Sequence, residues 1–186
     1  MTTVTIIFLI IATVAVAFAL FMYLLWYRTR RLRDHFGDEY DRTLELESGR
    51  TRRAEAELEQ RQKRVSRYHV RQLSPEERDR FAAEWHTAQQ KFVDDPRGAL
   101  AMADSVINHA LEARNYPVAD FEQRSADLSV EYPEVVQDYR IAHGIATADR
   151  RSGISTEELR RAMQHYRSLF EELVETNVSN QEEVYR

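Results

Sequence analysis

An all-α chain with one membrane-spanning helix ahead of a small helical bundle is the fold class this sequence predicts. Three observations carry that reading. Residues 4–27 form one apolar run with no charge and no proline. The rest of the chain is polar and paced by helix start and stop signals. No stretch alternates with the period of two that a half-buried strand requires.

The first element is the run Val4 to Tyr27. About 20 apolar residues at ~1.5 Å each cross a hydrocarbon core, so the run is long enough to span a bilayer. Arg28, Arg30, Arg31 and Arg33 come directly after it, while only residues 1–3 precede it. Basic residues stay on the cytoplasmic side, which puts the short N-terminus outside and the body in the cytoplasm. A cleaved signal peptide would begin with basic residues and a shorter apolar region. The small-x-small triplets Ala15-Val16-Ala17 and Ala17-Phe18-Ala19 sit inside the run, so the segment is expected to be kept as an anchor. Tyr23, Trp26 and Tyr27 gather at its basic end, as interfacial aromatics do. The run has no GxxxG pattern and no ionisable group, which argues for anchorage without an ion path.

Residues 28–73 read as a charged helical connector, punctuated at Gly37 and at Ser48-Gly49. Good helix formers dominate it, with acidic-before-basic pairs at Glu57/Arg61 and Glu59/Lys63. Leu58 and Val65 are seven apart, but no apolar seam continues far enough for a coiled-coil stalk. The expectation is a solvated helix.

Residues 74–175 read as a bundle of about five helices. Ser74-Pro75-Glu76-Glu77 is a capping box with proline in the first turn. Phe81, Trp85, Ala88 and Phe92 then share one face. Asp94-Asp95-Pro96 starts a second helix, faced by Ala99, Ala103, Val106, Ile107, Ala110 and Leu111. Asn115-Tyr116-Pro117 stops it. A short helix comes next around Val118 to Val130, with Phe121 and Leu128 apolar. After Tyr132-Pro133 a fourth helix is expected from Glu134, faced by Val135, Tyr139, Ala142 and Ala146, and closed at Ser152-Gly153. Ser155-Thr156-Glu157-Glu158 is a second capping box. The last helix carries Leu159, Met163, Tyr166, Phe170, Leu173 and Val174. Residues 176–186 lack core positions and are expected to be a disordered tail.

The net charge of −5 hides an asymmetry. Residues 28–72 carry 13 basic and 9 acidic groups, whereas residues 73–186 carry 13 and 22. Anionic lipids would attract the first stretch and repel the second. The absence of cysteine excludes thiolate catalysis, disulfides and cysteine-ligated metal sites. Asn177-Val178-Ser179 matches a glycosylation acceptor, a pattern that arises by chance and is idle in a cytoplasmic tail.

Residues 116–130 (YPVADFEQRSADLSV), 133–136 (PEVV) and 139–143 (YRIAH) carry a resemblance. Together with the juxtamembrane element 32–42 (LRDHFGDEYDR), they are similar to a family of uncharacterised bacterial single-span membrane proteins with a cytoplasmic helical domain. The resemblance covers most of the chain after the span. It implies a bacterial inner-membrane setting and no particular chemistry.

Tyr116, Asp120, Arg124, Asp127, Tyr132, Arg140 and His143 are the candidate interaction surface within that region, because arginine and tyrosine often anchor partners. The competing reading is structural. Helices broken at Pro117 and Pro133 leave backbone amides that need caps, for which Asp120 is suited, and Arg124 would pair with a carboxylate. Six histidines are present without HExxH or HxH spacing. His109 and His165 fall off the apolar faces and are expected to be exposed, and His143 flanks Tyr139. Five scattered glycines form no phosphate loop, and no Gly-x-Ser-x-Gly elbow exists.

The leading expectation is a non-enzymatic, membrane-tethered interaction module with a protein partner, with no catalytic residue, cofactor or metal assigned. A small-ligand sensor or enzyme is the alternative, needing Tyr139, Arg140 and His143 to converge in a pocket. A third reading gives the basic connector anionic lipid or nucleic acid. Glu55, Glu57 and Glu59 interrupt its arginines and disfavour nucleic acid. A homo-oligomer stays open, with no motif that indicates one.

Overall fold

The computed structural model describes residues 2–117, 119–152 and 154–175, and every regular element among them is helical. The chain divides into two units, residues 1–58 and 59–186.

The first unit opens with α1 (Thr2–Phe36), a helix long and apolar enough to cross a membrane. Its side chains from Ile6 to Trp26 are exposed on all sides, and none of the described residues covers them. Thr13 donates its hydroxyl to the Leu9 and Ile10 carbonyls at 3.1 and 2.8 Å. That internal bond removes the cost of a hydroxyl in an apolar setting. The helix does not end with the apolar run but continues to Phe36.

Gly37 then takes φ +49°, which a side chain would strain, and breaks the chain between α1 and α2 (Asp38–Leu46). Ser48 and Gly49, at φ +55° and +76°, make the turn into α3 (Thr51–Val65). These are the punctuation points read from the sequence. What differs is the solvation. Leu32, Phe36, Tyr40, Thr43, Ala54 and Leu58 are buried. The stretch expected to be a solvated helix thus has a small core of its own. No heptad seam announces it, because the apolar residues come from the end of α1, from α2 and from α3.

In the second unit the core is helical throughout. α4 (Pro75–Lys91) buries Phe81, Trp85 and Ala88. α5 (Pro96–Ala113) buries its whole predicted face and Leu100 besides. α6 (Phe121–Glu131) starts after Asp120, and α7 (Val136–Ser152) starts two residues later than expected, after a turn at 133–135. α8 (Thr156–Phe170) runs into a π-helical turn, Glu171–Glu175. Trp85 stacks on Phe170 with centroids 4.6 Å apart, joining α4 to α8. Each fully buried Leu or Phe contributes about 2–3 kcal/mol.

Four side-chain caps start these helices. Ser74 and Ser155 form complete capping boxes with Glu77 and Glu158. Asp95 accepts from the Gly98 amide and Asp120 from the Gln123 amide. Each such cap stabilises its helix by about 1 kcal/mol. The tail 176–186 with its acceptor triplet, Val118 and Gly153 lie outside the described residues.

Candidate functional site

Three polar networks stand out among the described residues of the second unit. The first centres on Asp127, which is 1% exposed on α6. Its Oδ1 accepts from Arg64 Nε at 2.7 Å, and its Oδ2 accepts from the Tyr68 hydroxyl at 2.8 Å. Two residues on, the Ser129 hydroxyl accepts from buried Arg61 at 3.3 Å. Ser125 and Ser129 also donate back to the Glu122 and Ala126 carbonyls. Small and acidic residues let this side of α6 lie close to the 61–68 segment. Burial raises the Tyr68 hydroxyl above its ordinary pKa, and the bond to Asp127 adds to the rise.

The second network centres on Arg114, buried just past the end of α5. It donates to the Tyr132 hydroxyl, to the Arg71 carbonyl at 3.2 Å and to the Leu173 carbonyl at 3.4 Å. Glu131 lies 3.7 Å from its guanidinium, and the guanidinium carbon sits 5.4 Å from the Tyr132 ring centroid. One side chain thereby ties α5 to the α6–α7 junction, the loop before α4 and the final π turn.

The third network crosses the bundle. Arg124 donates to the Asn108 side-chain oxygen, to the Tyr139 hydroxyl at 3.2 Å and to the Ala119 carbonyl at 2.7 Å. Asn108 donates to Asp104 at 3.2 Å, and Asp104 accepts from the Tyr166 hydroxyl at 3.0 Å. Burial pushes Tyr139 up to about 12, against the opposing pull of Arg124. Tyr166 is raised in the same way, with the Asp104 carboxylate adding to burial. Arg124 therefore pairs with an amide, a hydroxyl and a carbonyl, not directly with a carboxylate.

No protein-family model matches this chain, and no curated protein or solved structure matches it either. The geometry alone carries the reading.

Of the seven candidate surface residues, two are buried, four are half-buried and one is exposed. Asp127 and Tyr116 are buried, and the Tyr116 hydroxyl has no hydrogen-bond partner within normal distance among the described residues. Burial raises its pKa strongly, with the Glu131 charge next in effect. Arg124, Tyr132, Arg140 and His143 are half-buried. Arg140 reaches the Ser125 carbonyl at 3.5 Å. His143 lies flat on Phe121, ring centroids 3.6 Å apart and planes within 7°. Only Asp120 is exposed, and its carboxylate is spent on the α6 cap. Of the structural roles weighed for these residues, Asp120 makes the expected cap, whereas Arg124 binds an amide, a hydroxyl and a carbonyl instead of the expected carboxylate.

Among the other histidines, His109 is exposed, while His165 is half-buried with Nδ1 2.8 Å from Asp138 Oδ1. The expectation of an exposed His165 missed this partner on α7. Tyr139 and His143 both pack against Phe121, at 5.0 and 3.6 Å between ring centroids, while Arg140 reaches the Ser125 carbonyl. The cavity beside Asn108, Leu111, Tyr116 and Arg124 measures about 10 Å³, room for about one water. Among the described residues no three His, Cys, Asp or Glu side chains gather as a metal site.

Sequence reasoning missed Arg114, Arg64, Tyr68 and Asp104. Arg114 had a signal: it comes after Ile107 and Leu111 at helical spacing, a charge in phase with an apolar face. Arg64 and Tyr68 had none, because their partner lies some 60 residues away in sequence.

The membrane-proximal arginines belong to the first unit. Arg28, Arg30, Arg31 and Arg33 are all exposed on α1. Arg30 lies 5.2 Å over the Trp26 ring, and Arg33 pairs with Asp41 at 2.8 Å across the Gly37 break. Tyr23 packs against Trp26 and Tyr27 at 6.2 and 6.3 Å, so aromatics and basic groups form one band around the end of the apolar run.

Proposed function

We propose that this chain is a membrane-anchored, non-enzymatic interaction module whose helical body works at the cytoplasmic face of a bacterial inner membrane. The observation that carries the reading is α1. None of its most apolar stretch is covered by the other described residues. That much uncovered apolar surface is stable only in lipid or against a partner. The aromatic and basic band at the 23–33 end supports a cytoplasmic placement for the helical body. Tethering then raises the effective concentration of the body for partners at the same surface. The polar candidates of the body are occupied in holding it together, which favours a shaped protein surface over a reactive centre.

The test has two arms. A reporter fused after Arg186 gives topology, and affinity capture of the full chain from solubilised membranes gives partners. Expected are a cytosolic reporter signal, and partners that persist when residues 4–27 are replaced by an unrelated span. An exported reporter overturns the topology. Loss of all partners on exchange of the span alone overturns the body as the binder.

A further inference from the structure

The first unit returns a second set of arginines to the end of the apolar run. Thr29, two residues past that run, donates its hydroxyl to Glu55 of α3 at 2.6 Å. This bond sets α3 beside the band of Trp26, Tyr27, Arg28 and Arg30. Arg52 and Arg53 lie within one turn of Glu55, about 5 Å along α3, and Arg50 stands in the turn that leads into that helix. The Thr29 bond therefore keeps all three near the level of Arg28 and Arg30.

All three of these arginines are exposed. Leu46, which leads into the same turn, is 64% exposed. In sequence the two arginine groups are some 20 residues apart; in the fold one hydrogen bond brings them to one level. Gathering like charges is unfavourable in water, and nothing in the apolar core of this unit requires arginine at these positions. An anionic surface at that level reverses the sign of the effect.

We infer that the α2–α3 turn, through Arg50, Arg52 and Arg53 with Leu46 between them and the bilayer, docks on anionic phospholipid headgroups beside the span. The inference rests on α1 being in the membrane. It goes beyond anchorage, because it gives the juxtamembrane unit a second contact with the lipid and a preferred lipid charge. Each arginine near such a surface multiplies the docked-to-undocked ratio by roughly fivefold.

The absence of native cysteine makes single labelling sites available. Full-length protein carrying Leu46→Cys or Ala15→Cys, each with a nitroxide label, is reconstituted in phosphatidylcholine vesicles with and without phosphatidylglycerol. Accessibility to oxygen and to a water-soluble paramagnetic reagent reports depth. The Ala15 label should read hydrocarbon in both vesicles. The Leu46 label should read the interface with phosphatidylglycerol and water without it. Adding Arg50→Gln, Arg52→Gln and Arg53→Gln should return it to water, at unchanged circular dichroism. A hydrocarbon reading at Ala15 with a Leu46 label equally wet in both vesicles overturns the docking and leaves the anchor standing. An Ala15 label in water overturns the anchor itself.

Discussion

At the residue scale, much of the polar chemistry is set by where single side chains end. Glu77 shows how. Its carboxylate accepts from Arg71 at 2.7 and 2.8 Å and from the Ser74 amide at 2.9 Å. The Arg71 bonds and then the Ser74 amide hold it at about 2, against an ordinary 4.5. A depressed carboxylate stabilises the fold above the ordinary value and loses that contribution as pH falls through the lower one. The expected outcome is a Glu77 carboxyl signal that titrates near 2 by nuclear magnetic resonance. In Arg71→Ala it should move back towards 4.5. A midpoint of 4.5 in the unaltered protein would show that the Arg71 and Ser74 bonds do not persist in solution.

At the scale of elements, the start signals were legible because they are local. Ser74 and Ser155 cap the helices that their Glu three residues on announced, and Gly37 and Gly49 sit where the chain breaks. The helical faces of α4, α5 and α8 were legible for the same reason, since a period of 3.6 is written within one segment. Illegible was everything that depends on a second element. The burial of Leu32, Phe36 and Leu58 needs three helices at once, and the role of Asp127 needs Arg64 and Tyr68 from far upstream. The polar sequence of α6 suggests a surface, yet four of its residues (Ser125, Asp127, Leu128, Ser129) are buried. Asp127 is the pin between α6 and the 61–68 segment, so Asp127→Ala leaves Arg64 and Tyr68 without it. Removing one member of a buried, hydrogen-bonded pair costs about 3 kcal/mol. In urea unfolding the midpoint should drop accordingly. Hydrogen exchange should speed first in residues 61–68. Uniform loss of protection across α4 to α8, with no excess there, would argue against a local pin.

On the scale of the whole molecule, the core of the second unit is rich in tyrosine, and this gives its stability a pH limit. Tyr116, Tyr132, Tyr139 and Tyr166 are all raised above their ordinary value, in each case chiefly by burial. A hydroxyl whose ionised form is disfavoured in the fold stabilises fully below the unfolded value of about 10, and that stability is lost as pH rises past it. Tyr139 ionises only near 12. Stability to urea should therefore be flat from pH 7 to about 9 and fall steeply above 10. Tyrosinate absorbance should appear together with unfolding. If all tyrosines ionise near 10 while the helical signal stays intact, these hydroxyls are not shut away as described.

The run of helix from Arg28 to Phe36, unbroken with the apolar rod before it, is a stiff arm of about 13 Å. Seated in lipid as proposed, such a rod would tilt differently in bilayers of different thickness. Because the arm does not bend before Gly37, each change of tilt would swing its far end sideways. On that reading membrane thickness becomes a mechanical input to α2 and α3, which are tied to the arm through Asp41 and Glu55.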